Sequence, residues 1–155
     1  MKKVLVIGVI LFLAACSSRM SGETTTVCAD APASLGLGEA VVTIEGMDEN
    51  ILVWTERTTM TRDEYNQLWQ GIIPTEEDIR AWFDSAANDT GMQGVTWVLV
   101  SVDDETVVTD FIYNYEEMSE SDLNLRWETD DFSREVTLTG AIAGLEDQDA
   151  TCRTD

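Results

Sequence analysis

The chain has 155 residues, of which 30 are acidic, nine are basic and none is histidine, for a formal charge of -21. Phosphate polymers would repel such a surface, and nucleic-acid binding needs a Lys/Arg footprint that this composition lacks. Without histidine there is no Ser-His-Asp triad, no Cys-His pair and no imidazole metal ligand, and the length suits one domain around one core.

In chain order, Met1, Lys2 and Lys3 form a basic start, Val4 to Leu13 an apolar run, and Leu13-Ala14-Ala15-Cys16 places two small residues before a cysteine. The run ends in Ser17, Ser18 and Arg19, short of the roughly 18 apolar residues that a membrane span needs, so residues 1–15 read as a secretory signal. Leu-Ala-Ala-Cys resembles the lipobox of bacterial lipoproteins. That resemblance implies that the thiol of Cys16 takes a diacylglyceryl group, that Cys16 becomes the first mature residue, and that palmitate-type chains hold the protein outside the cytoplasm, on the cell membrane or an outer membrane. Two acyl chains anchor durably, at roughly 0.8 kcal/mol per buried CH2. Cleavage removes Lys2 and Lys3, the chain's only lysines, and leaves seven arginines against 30 acids, a charge of -23. Lysine-based catalysis and the phosphate-loop lysine are thereby excluded, and anionic lipid would repel the domain itself, so the lipid does the holding.

Residues 16–34, rich in Ser, Thr, Gly, Ala and Asp without periodicity, read as a flexible tether, and 35–155 as a single domain. Cys28 and Cys152 read as a disulfide permitted by export, worth about 5 kcal/mol or less on the chain-entropy view of so long a loop. Glu39 to Glu45 alternates, with Ala40, Val42 and Ile44 on one face, and Ile51 to Thr61 follows a Gly46 to Asn50 turn, so the two predict an antiparallel hairpin. Thr61 to Glu64 starts a short helical turn. Thr75 caps a clearer helix, with acids in its first turn and Ile79, Trp82, Phe83, Ala86 and Ala87 along one stripe. Gly94 to Val102 and Thr106 to Tyr115 predict a second hairpin at the sheet centre, because polar residues are missing from both of its faces. Ser119 or Ser121 caps a loop or helical turn, Glu135 to Leu138 predicts a short strand, and Thr139 caps a terminal helix bearing Ile142 and Leu145. The expected fold is α+β: an antiparallel sheet of about four to five strands, with one longer helix and a short C-terminal helix packed on one face.

Val41-Val42-Thr43-Ile44 with the Gly46 turn, Thr75-Glu76-Glu77-Asp78, Gly94-Val95-Thr96-Trp97 and Leu145-Glu146-Asp147-Gln148, in this order behind a lipobox, resemble the YehR-like family of small bacterial lipoproteins. The likeness covers roughly residues 35–148. It implies an α+β domain on an anchored protein whose activity is not established, and it carries over no functional residue. The family is lysine-rich, whereas this mature chain has no lysine.

Carboxylates are the only plentiful chemistry. The pairs at Asp103-Asp104-Glu105, Asp130-Asp131 and Asp147 with Asp149 sit in turns, where a glycosidase acid would need burial to raise its pKa, so no catalytic residue is assigned. Asp147-Gln148-Asp149 begins like a calcium loop, but Cys152 stands where glycine is needed and no later glutamate follows, so no metal ligand and no cofactor is assigned either. Among the five tryptophans, Trp82 and Trp97 read as core, while Trp69 and Trp127 are candidate ligand-stacking residues. The reading is a non-enzymatic lipoprotein for envelope interaction or maintenance, with the membrane and a basic envelope protein as partners and no nucleic acid. The alternative is a ligand- or calcium-binding surface module.

Overall fold

The computed structural model describes residues 22–71, 75–85, 90–127 and 136–155. Its elements are β1 (Glu23–Ala31), β2 (Glu39–Met47), β3 (Asn50–Thr61), α1 (Arg62–Leu68), α2 (Glu76–Ser85), β4 (Val95–Val102), β5 (Thr106–Asn114), α3 (Glu120–Trp127), α4 (Leu138–Glu146) and β6 (Thr151–Thr154). The strands form one antiparallel sheet in the order β4-β5-β3-β2-β1-β6. The fold is α+β as expected, but the sheet has six strands rather than four to five.

Both extra strands lie where the sequence predicted irregular chain. Glu23–Ala31 falls inside the presumed tether, yet pairs with β2 on one side and β6 on the other. Its Thr24-Thr25-Thr26-Val27 run is β-branched and suits a pleated sheet, but the two neighbours that fix it are distant in sequence. Thr151–Thr154, for which the sequence predicted no element, pairs with β1 so that Cys152 faces Cys28. The second hairpin is also displaced. β4 is an edge strand and β3 and β2 occupy the centre, and apolar residues on the outer face of β4 are exposed rather than covered, as at Val98 and Val100.

The helices start as local chemistry dictates. Thr61 and Glu64 form a reciprocal capping box at α1, and Thr75 accepts the Asp78 N–H at α2 (3.1 Å), which satisfies donors that a helix start leaves unpaired. Ser119 does the same for α3 at Asp122. The cap of α4 is Thr137, which accepts from Gly140 N–H at 3.0 Å, not Thr139. The expected strand at Glu135 to Leu138 is corrected at its end, where Leu138 opens this helix; Glu135 lies outside the described residues.

Cross-strand register puts Cys28, Val42, Glu56, Phe111 and Trp97 in one row on the inner face. Over β3, β5 and β4, Tyr65 of α1 and Ile79 and Phe83 of α2 pack with Met60, Trp97, Val102 and Val107. Over the other half, Leu138 and Leu145 of α4 pack with Val42, Ile44 and Trp54. The opposite face carries exposed Val27, Val41 and Val98 and one bidentate ion pair, Arg57 to Asp110 at 2.8 and 2.7 Å. Asp110 holds the Arg57 pKa above its ordinary value through that hydrogen-bonded contact, against a smaller opposing effect of burial. Among the described residues no helix is long and apolar enough to cross a membrane.

Candidate functional site

The two halves of the inner face differ in how they are filled. Under α1 and α2 the space is taken by rings: Trp69 lies 4.7 Å from Trp82 between centroids, Trp82 lies 5.2 Å from Trp97, and Trp97 stacks on Phe111 at 4.8 Å. Beside α4 there is instead a cavity of about 410 Å³. Val42, Trp54 and Glu56 of the sheet form its floor, Gly140, Ala141, Gly144 and Leu145 of α4 one wall, and Ser34 and Arg126 lie at other sides.

That wall is fixed at both ends. Glu49, in the β2–β3 turn, accepts from Leu138 N–H through its carbonyl at 2.9 Å and from Thr139 N–H and hydroxyl through its carboxylate. A carboxylate here also meets the positive end of the helix. At the other end the chain turns through left-handed Asp149 into β6, where Cys28 and Cys152 are joined at an S–S distance of 2.04 Å.

Glu56 is 2% exposed. Its Oε1 accepts from Ser34 N–H at 2.7 Å and from the Thr58 hydroxyl at 3.3 Å, and its Oε2 accepts from the Ser34 hydroxyl. These bonds satisfy a charge whose burial would otherwise be expensive, and they pin the Pro32–Ser34 segment to β3. The Arg126 guanidinium lies 4.5 Å from the Tyr113 ring centroid and 5.5 Å from that of Trp54. Burial raises the Tyr113 pKa, Arg126 opposes the rise and Glu56 adds to it, so carboxylate, phenol and guanidinium lie within one another's fields. Such a group can recognise a polar head in an apolar pocket. Three hydrogen bonds already hold the carboxylate, which suits recognition better than proton transfer.

The residues singled out in the sequence lie elsewhere. Cys16 and the export signal are outside the described residues, as are Asp130-Asp131 and the side chain of Trp127. Trp69, a candidate ligand-stacking residue, is half-buried and its ring packs against Tyr65, Trp82 and Trp97. Asp103 closes the β4–β5 turn by accepting from Thr106 and Glu105 N–H, and those bonds hold its carboxyl below the ordinary range. Asp147 caps α4. Among the described residues no three His, Cys, Asp or Glu side chains gather as a metal site.

The sequence reading passed over Glu56, Ser34, Arg126 and the two α4 glycines. Glu56 was findable, because it stands at an inward position of the β3 alternation Trp54, Glu56, Thr58, Met60, where a carboxylate is out of place unless it is held.

No protein-family model matches the chain, and no curated protein matches it. The fold is similar to the NMR structure of a protein from Streptococcus pneumoniae TIGR4, with a TM-score of 0.54, 10% identity, and coverage of 99% of this chain and 97% of that one. At that identity the likeness concerns the fold alone.

Proposed function

We propose that the chain is an exported lipoprotein of the YehR-like kind, anchored outside the cytoplasm through acyl chains on Cys16, that acts in the envelope by binding rather than by catalysis. The observation that carries this reading is the Cys28–Cys152 bond, since disulfides persist in oxidising, extracytoplasmic compartments. It agrees with the lipobox at Leu13 to Cys16 and with a mature charge of -23, which would attract a basic envelope protein. Because β1 starts at Glu23, the tether from Cys16 is shorter than residues 16–34; fully extended it spans at most about 25 Å, and the domain works near its membrane. A fatty-acid analogue fed to cells should label the wild type and not Cys16→Ser; equal labelling of both rejects the anchor.

The second reading, a ligand-binding surface module, is favoured by the cavity beside α4. Its calcium form has no such support, because Asp147 and Asp149 flank a helix end without a third ligand among the described residues.

A further inference from the structure

The cavity beside α4 is kept open by the sequence at a cost. Gly140 and Gly144 stand one turn apart on the wall, inside a helix whose other residues include Leu, Ile and Ala. A Cβ built at Gly144 meets nothing within 4 Å. A glycine in a helix interior is about 1 kcal/mol less favourable than alanine, so packing gives no reason for it there. The volume of about 410 Å³ falls in the range of small-molecule sites, roughly 300 to 1,000 Å³.

The floor supplies a specific polar group. A carboxylate offers about four acceptor positions; among the described residues Glu56 uses two on Oε1 and one on Oε2, which leaves a position on Oε2 for a donor. Arg126, the cation among the described lining residues, lies over the Tyr113 and Trp54 rings, whose faces meet part of its charge. The chain as a whole, at -21, concentrates cations around it.

We infer that this cavity is a binding site for a small amine with an apolar body, its ammonium donating to Glu56 and its body lying against Val42, Trp54 and Leu145 beside the α4 glycines. The inference goes beyond the proposed function and does not depend on the lipid anchor.

Three probes of matched shape test it on the full chain purified in a non-ionic detergent: phenethylammonium, phenethyl alcohol and hydrocinnamate, titrated by calorimetry. Phenethylammonium should bind saturably and at least about tenfold more tightly than phenethyl alcohol, because a charge-assisted bond exceeds a neutral one by about that factor, and hydrocinnamate, whose carboxylate would meet that of Glu56, should bind more weakly still. Glu56→Gln should remove the preference of ammonium over alcohol. Gly144→Leu, which fills the cavity without touching Glu56, should abolish binding of all three while the protein stays folded. Equal binding of the three probes, no binding by any, or binding undiminished in Gly144→Leu overturns the inference.

Discussion

Glu56 holds a charge at 2% exposure only because Ser34 and Thr58 bring three donors to it. Removing the carboxylate leaves those donors unsatisfied and frees the Pro32–Ser34 segment. Glu56→Ala should therefore lower unfolding free energy by about 2 to 3 kcal/mol, and Ser34→Ala by about 1.5. Urea unfolding checks both, as a shift in midpoint at unchanged slope. Tyr65 makes a second prediction. Burial pushes its pKa from 10.0 up to about 12, with Arg62 and Trp69 opposing. The folded state keeps a proton that the unfolded chain gives up near 10.0, so this contribution is complete below that pH and is lost as pH rises through about 12. Tyr65→Phe should flatten the alkaline limb of the stability profile; an unchanged limb would contradict the assignment.

At the scale of elements, β1 and β6 depend on each other. β6 is four residues long and among the described residues pairs only with β1, with Cys152 opposite Cys28. Cys28→Ser with Cys152→Ser should cost roughly 2 to 5 kcal/mol. Hydrogen exchange should show the amides of Thr151–Thr154 losing protection while the β2–β3 pairing keeps it. Two glycines bear opposite predictions. Gly144→Ala should stabilise by about 1 kcal/mol, since the methyl enters open space on a helix. Gly94→Ala should destabilise by about 2 kcal/mol, because Gly94 has φ +75° and a Cβ would sit 2.6 Å from the Asn114 carbonyl oxygen. Thermal unfolding of the two variants checks both signs.

Elements with local chemistry were legible in the sequence: the β2–β3 hairpin from its alternation and turn, α2 from its cap and stripe, the β4–β5 hairpin from its β-branched runs. β1 and β6 were not, because their partners lie far away in the chain, and a Thr-rich segment has the same composition whether it is tether or strand. The disulfide was legible from residue type together with the export expected of the N-terminal segment. The cavity was not, since it arises from the meeting of β3 with a helix more than eighty residues later, although Glu56 among inward-facing residues is a trace of it.

For the molecule as a whole, charge and attachment oppose each other. If the chain is anchored as proposed, a domain of -23 kept within about 25 Å of an anionic surface must be held by something other than its own surface, and the Leu13 to Cys16 segment that resembles a lipobox would do so. On the proposed reading the Cys28–Cys152 bond and an acylated Cys16 belong to the same compartment, so they should occur together on the same molecules. Mass spectrometry of the protein isolated from the envelope without reduction tests this most directly. The expected result is an N-terminal peptide that begins at Cys16 and carries a diacylglyceryl group, together with a cross-linked peptide joining Cys28 to Cys152. A chain that retains Met1 with an unmodified Cys16 thiol, or one with Cys28 and Cys152 both free, would contradict it.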